Sequence, residues 1–582
     1  MGVATPLARF ERRSRGSRER CTVIGSGELG GKAEGLLAGR DILAGLGPAR
    51  FAPIVVEIPA LTVLATSTFD AFLERNRLRE LVEGPASERG LAVAFQRAEL
   101  PAEVVGDLWD LIRHIKTPLA VRSSSLLEDA LRHPFAGIYE TKMIPNNQPE
   151  ADSRFRRLTE AIKFVYASTF LPRARAYVRA VGREPQEEKM AVVLQEVVGR
   201  RHGSRFYPDV SGVARSWNFY AFGGAEPRDG AVSLALGLGK TIVDGGRSWT
   251  YSPGRPQVAP PHGSPSELLD RAQTDFWAVN MGKAPAYDPT AETEYLVKVG
   301  LAEAEADGSL AHVASTYVAQ DDAIVPGIAR GGARLVDFAP LLKRNAVPLN
   351  DAVAAVLAAC SDATGSDVEI EFAVTLPSGG DLAPRFALLQ VRPMAVSRRP
   401  VEIADGEKAG PRVLVASDRV MGNGAVEGVR DLVFVTPSRF EPRHTRAVAT
   451  ELEALNRDLV GERRPYILIG FGRWGSSDPW LGIPVDWGQV SGARVIVEAC
   501  LSGFAVEMSQ GAHFFHNLIA EGVPYFSAGS AEGGNVHWER ILALPVHHDG
   551  RFLRHARCAE GFVVKVDGRR GEGVILAPEE TT

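Results

Sequence analysis

Residues 119–141 read LAVRSSSLLEDALRHPFAGIYET, and the chemistry of this stretch sets how the rest of the chain is read. An apolar lead, Leu119 to Val121, runs into Arg122 and three serines, Ser123 to Ser125. A small-residue loop, PFAGIYET, closes the stretch. A guanidinium neutralises phosphate charge, and glycine lets backbone N–H groups approach phosphate oxygens. The same residues also fit a capped helix start. Moving towards the N-terminus, CTVIGSGELGGKAEGLLAGRDIL (21–43) reads as a strand, a glycine turn and a helix. Its Gly30-Gly31-Lys32 is either a phosphate-approaching loop or a simple turn. Towards the C-terminus, DVEIEFAV puts Glu369 and Glu371 on one face of a strand, and RFALLQVRPM does the same for Gln390 and Arg392. Paired carboxylates hold Mg²⁺, which bridges phosphate oxygens. A solvated strand face and an ordinary sheet edge are the alternatives for these pairs. Taken together and in order, the residues are the parts for phosphoryl transfer from a nucleotide. No GxxxxGK[ST] loop occurs.

The chain has 582 residues, a soft prior of about three or four domains. Its charged fraction of 24% and hydrophobic fraction of 45% are those of a soluble protein, which excludes disordered, collagenous and membrane-bundle classes. A net charge of −5 argues against a nucleic-acid partner. No apolar run reaches the ~18 residues of a membrane span. Four scattered cysteines without a CxxC pair fit a reducing, cytoplasmic setting. Glycine is in excess at 59 residues, which fits a chain rich in turns and glycine loops. The first 20 residues carry six arginines without an apolar signal core and read as a basic mobile tail or a transit peptide. Strand and helix alternate from residue 21 onwards, so the class is α/β and α+β, multidomain. Phe69, Phe72, Leu73 and Leu78 lie near one helical face. Ser264, Pro265 and Glu267 predict a capped helix over 264–279, with Leu268, Ala272 and Phe276 on one face. The polar text from Arg398 to Pro411 predicts a linker, leaving a last domain over 412–582.

The order of motifs resembles a family. GGKAEGL, LAVRSSSLLEDALRHPFAGIYET, GLGKTIVDGG and DVEIEFAV…LLQVRPM are similar to the nucleotide-binding domain of the phosphoenolpyruvate synthase and pyruvate phosphate dikinase family. The resemblance implies a two-lobed ATP-grasp region, with lobes over 21–210 and 211–398, that takes ATP and Mg²⁺. Carried over by motif, Lys32 and Arg122 contact phosphates, and Gly137 and Thr141 lie in the loop covering them. Gln195 sits by the adenine. Glu371 and Gln390 hold metal or ribose-side groups, Arg392 a phosphate, and Glu369 stands where the family usually has an aspartate metal ligand.

Family members usually pass phosphate through a histidine on a mobile domain. EMSQGAHFFHNLIAEGVPYF keeps the family's His–Gly–Pro spacing in His513, Gly522 and Pro524, but Gly511-Ala512 replaces the Thr-Ser pair and Phe514-Phe515 the two alanines. The resemblance implies a divergent, swivelling-His-like α/β domain with His513 as phosphoryl acceptor. The residues themselves equally fit a core helix with His513 and His516 buried among aromatics. Ser509, Gln510 or Asn517 would fix the imidazole tautomer. A Trp/Gly-rich loop over 466–490, with Arg473, Trp474, Asp478, Trp480 and Trp487, is either an acceptor site or a loop packed by its own tryptophans. His547, His548, Asp549, His555 and Cys558 lack tight metal-site spacing and read as surface residues.

The expected activity is ATP-dependent, dikinase-like phosphotransfer to an acceptor of unknown identity, a small molecule or a protein. A TIM barrel needs ~250 residues, and about 50 follow Gly529, so a separate acceptor subunit is a further expectation. The competing readings are an ATP-binding sensor and a kinase without a histidine intermediate.

Overall fold

The computed structural model describes residues 5–12, 20–84, 87–129, 137–180, 183–377, 383–394, 396, 401–404, 406–476, 478–500, 512–528 and 535–579. They form two compact units. The first comprises Met1–Ser216, Val232–Thr241 and Arg247–Pro393; the second comprises Trp217–Ala231, Ile242–Gly246 and Met394–Thr582.

The first unit is built on two six-stranded sheets. In one, the strands run in the order Ala8–Arg9, Cys21–Ile24, Leu61–Leu64, Met190–Glu196, Leu119–Ser125 and Thr141–Ile144. In the other, the order is Trp249–Tyr251, Ala231–Ala235, Val210–Arg215, Asp367–Thr375, Arg385–Met394 and Val55–Glu57. A four-stranded and a three-stranded sheet complete it, the latter built from residues 314–336, where the sequence shows no motif. The inner strands are mostly apolar and buried: Leu61–Leu64 is buried throughout, and Met190–Glu196 is buried up to its last residue. Such sequences suit strands covered on both faces. The helices Thr66–Arg75 and Ala151–Ser168 join this packing through Phe69, Phe72 and Tyr166.

Several expected elements form as read, among them the strand Leu119–Ser125, which places Arg122 in a strand and not at a helix start. Others differ. Leu78 opens a separate helix, because Arg77 adopts a left-handed φ of 53° after Thr66–Arg75 ends. The helix predicted over 264–279 stops at Arg271, and Asp275–Asn280 is a strand paired with Leu296–Gly300. Ser264 caps that helix as expected by accepting from the Glu267 N–H, while the Glu267 carboxylate reaches the N–H of Gly263 rather than that of Ser264. Within the expected mobile tail, Ala8 and Arg9 pair in parallel with Thr22 and Val23; residues 1–4 and 13–19 lie outside the described residues.

The second unit is a mixed sheet around four parallel strands, Asn423–Val435, Tyr466–Phe471, Ala493–Ala499 and Tyr525–Ala528. The helix Thr445–Gly461 connects the first two, and His513–Ala520 precedes the fourth. Of the expected linker, Ile403 is buried against Val413 and Val574 in this unit. Among the described residues, no helix is long and apolar enough to cross a membrane.

Candidate functional site

The serines after Arg122 have a structural task. Ser124 Oγ accepts from the Ala33 N–H at 3.0 Å and donates to Leu29 O at 2.8 Å, pinning the start of the helix Gly31–Leu46 to the strand Leu119–Ser125. The approach is too close for a side chain: a Cβ on Gly30 would lie 1.9 Å from Ser124 O, and one on Gly31 1.8 Å from Glu128 O. Gly30 also holds a φ of +79°. Lys32 is thereby buried, with Nζ 3.1 Å from Glu128 Oε1 and 3.4 Å from Ser123 Oγ. Glu128 is fixed in turn by Ser123 Oγ at 2.8 Å and the Ser125 N–H at 2.9 Å.

Arg122 crosses from the first sheet to the second. Its Nη1 donates to Gln195 Oε1 at 3.1 Å and to Leu389 O at 2.8 Å, and its Nη2 donates to Gln390 Oε1 at 2.7 Å. Glu371 Oε2 is 3.6 Å from the same Nη2. Gln390 Nε2 donates to Asp129 at 2.6 and 2.8 Å. The alternation read for Glu369 and Glu371 holds: both carboxylates face Arg392, which pairs with Glu369 at 2.8 Å through Nε and with Glu371 through Nη2. Glu369 also accepts from Arg215, its cross-strand partner. Thr141 is the cross-strand partner of Arg122, and Gly137 takes a φ of 65° with its carbonyl accepting from Arg173. The residues between, 130–136, lie outside the described residues.

The residues Arg122, Gln195, Glu369, Glu371, Gln390 and Arg392 thus stand in a connected set of charged and amide side chains, which Lys32 joins through its field on Asp129. Gln195 is engaged by Arg122, and its Nε2 is buried without a hydrogen-bond partner. Burial works against the charge on Arg392, but Glu369, Glu371 and Asp129 outweigh it and hold the guanidinium protonated, above its ordinary range. Burial pushes the Asp129 carboxyl up to about 6, against the pull of Arg392 and Lys32. Burial, with Glu128 nearby, pushes Glu188 up to about 7. The Glu371 carboxylate and the Gln390 amide oxygen are hard oxygen donors of the kind a hydrated Mg²⁺ takes beside phosphates, so the donor set fits that ion in kind.

Reasoning from sequence missed three members of the site. Glu128 and Asp129 were in plain view in the LLED of the opening stretch. Arg215 stands in the apolar strand VSGVAR and gave no signal.

In the second unit, His513 is half-buried at the first position of an eight-residue helix, and His516 is buried within it. Ser509 and Gln510 lie outside the described residues. In the Trp/Gly-rich loop, Trp474 and Trp487 are buried and Trp480 is 68% exposed. Its glycines serve close packing: a Cβ on Gly470 would lie 2.2 Å from the Trp474 ring, and one on Gly475 2.2 Å from Phe514. Arg473 Nη1 donates to Gly245 O at 2.7 Å. Among the described residues, no cluster of histidine, cysteine and acids is arranged to hold a metal. His555 instead bonds Asp431 at 2.7 Å, which also takes Arg464 and Arg557.

Two sheets bridged by an arginine–glutamine–acid network, with a glycine-started helix against both, define a nucleotide-binding architecture of the ATP-grasp kind. The chain belongs to the pyruvate phosphate dikinase AMP/ATP-binding domain family, whose model matches residues 26–409. It is also 28% identical over 188 residues to the uncharacterized phosphotransferase YvkC of Bacillus subtilis (strain 168). That match covers 32% of this chain and 20% of the relative, so the chain spans about a fifth of the length of that protein.

Proposed function

We propose that this chain is an ATP-dependent phosphotransferase of the dikinase type, which moves a phosphoryl group from ATP to an acceptor through His513. The observation that carries the nucleotide half is the reach of Arg122 across two sheets to Gln390 and Glu371. An arginine held by side chains from both sheets puts a fixed positive charge where phosphate oxygens would come. Arg392 and Lys32 add charge on the same network. Glu371 and Gln390, with Asp129 beside them, would hold Mg²⁺, which when bound neutralises charge on the phosphates. The remaining work of the chain is to bind, orient and shield the phosphates.

The histidine step is supported by the position of His513 at a helix N-terminus, where the helix dipole favours an anion such as a phosphoryl group. The imidazole would attack the β-phosphorus and break its bond to the α,β-bridging oxygen, so that AMP leaves; the γ-phosphoryl group of the resulting pyrophosphoryl-histidine would pass to water as phosphate, and the β-phosphoryl group would remain for the acceptor. The phosphotransferase name of the Bacillus relative agrees with the class of reaction.

The test is labelling with β- or γ-³²P ATP and Mg²⁺, followed by product analysis. The expected result is acid-labile label on the protein that is lost in His513→Ala, with AMP as product. ADP formation with unchanged activity in His513→Ala would point to direct transfer, and tight ATP binding without turnover on any acceptor to a sensor.

A further inference from the structure

Glu369 and Glu371 look equivalent on the strand, yet their surroundings differ. The Glu369 side chain is 1% exposed and the Glu371 side chain 14%. Glu369 has both carboxylate oxygens taken: Oε1 by Arg392 Nε at 2.8 Å, and Oε2 by Arg215. Arg215 is itself 2% exposed and approaches from the neighbouring strand, where it pairs in register with Glu369. A cation on Glu369 would have to displace a guanidinium from a buried pair. That would strand a buried charge, which is strongly unfavourable. Glu371 is paired as well, with Arg392 on one oxygen and Arg122 on the other, but the Arg122 pair at 3.6 Å is too long for a hydrogen bond and the side chain keeps more exposure, so that oxygen can turn to a cation without breaking a buried hydrogen bond.

We infer that Glu369 is a positioning residue and not a metal ligand: anchored by Arg215, it fixes the Arg392 guanidinium that meets the nucleotide phosphates. Arg215 is a second positioning residue, acting through Glu369. The inference rests on the proposed nucleotide site. It assigns the two alternating acids different tasks: Glu369 orients a cationic side chain, and Glu371 meets the metal.

The experiment separates metal binding from nucleotide binding in the full-length protein. Mn²⁺ affinity in the presence of a non-hydrolysable ATP analogue is read by electron paramagnetic resonance. Analogue affinity in EDTA is read by calorimetry. For Glu369→Gln, metal-free analogue binding should weaken about tenfold, while Mn²⁺ affinity stays within about twofold. For Glu371→Gln, Mn²⁺ affinity should fall about tenfold or more. Arg215→Met should weaken metal-free binding as Glu369→Gln does, and the two effects should not add, since both pass through Arg392. Should Glu369→Gln fail to fold, the double variant Arg215→Met/Glu369→Met removes both buried charges together, a change cores tolerate better, and is measured in its place. Loss of Mn²⁺ affinity in the Glu369 variants as large as in Glu371→Gln overturns the inference alone. Normal analogue binding in Arg392→Met overturns the nucleotide site, and the inference with it.

Discussion

Arg122 makes three hydrogen bonds from two guanidinium nitrogens, to Gln195, Leu389 and Gln390. A lysine there carries the same charge on one nitrogen and cannot keep that fork. Arg122→Lys should therefore leave the fold intact and lower kcat/KM for ATP about 100-fold, the usual cost of losing one aimed donor. Steady-state kinetics beside an unchanged circular-dichroism spectrum checks this. The residue was legible because charge, hydroxyls and small residues stand together in one short stretch. Arg215 was not, because its meaning comes from Glu369, 154 positions away in sequence. The tasks of Ser123 and Ser124 were also hidden: the sequence offers only a capped helix start for them, whereas they bond to Glu128 and to the start of the Gly31–Leu46 helix.

That helix shows what glycine does at the level of an element. Gly30 and Gly31 let it meet the strand Leu119–Ser125 and the turn after it, and Gly35 lets it meet the other sheet, where a Cβ would lie 2.4 Å from Val391 O. Backbone carbonyls cannot step aside as flexible side chains do. Gly31→Ala should cost about 3 kcal/mol or displace the helix, with loss of ATP binding. Gly45→Ala in the same helix meets nothing within 4 Å and should stabilise by up to about 1 kcal/mol. Urea melts of the two variants make the comparison. Elements were readable where local pattern and long-range pairing agree, as in Asp367–Thr375 and Arg385–Met394. They were misread where the two conflict. Leu268, Ala272 and Phe276 have helical spacing, yet Phe276 sits in a strand because Leu296–Gly300 pairs with it. In the Trp-rich loop, Trp474 against Gly470 follows the reading of a loop packed by its own tryptophans, whereas Phe514 against Gly475 comes from outside the loop and gave no local signal.

Two buried carboxylates, Asp129 in the first unit and Asp431 in the second, should answer acid with opposite signs. In the first, burial raises the Asp129 carboxyl from 3.8 to about 6. Between those values the folded chain holds a proton that the unfolded chain has released. This group's contribution to stability therefore grows as pH falls from about 6 to 4, and flattens below the unfolded value. In the second unit, burial opposes the charge of Asp431, but bonds from His555, Arg464 and Arg557 prevail and hold its carboxyl well below the ordinary aspartate range. That contribution is complete above pH about 4 and is lost as pH falls towards the depressed folded value. The sign follows because the unfolded aspartate there takes up its proton first. Asp431→Asn should thus cost about 3 kcal/mol at pH 7, the scale of breaking a buried ion pair, and that cost should shrink steadily below pH 4. Asp129→Asn should do the reverse at the site it occupies, removing a penalty at pH 7 that is absent near pH 4, provided Mg²⁺ and nucleotide are left out. Hydrogen exchange followed by mass spectrometry, at pH 7 and at pH 4 with rates corrected for pH, resolves the units separately. Parallel behaviour of the two variants across that range would show that neither carboxylate carries the environment assigned to it.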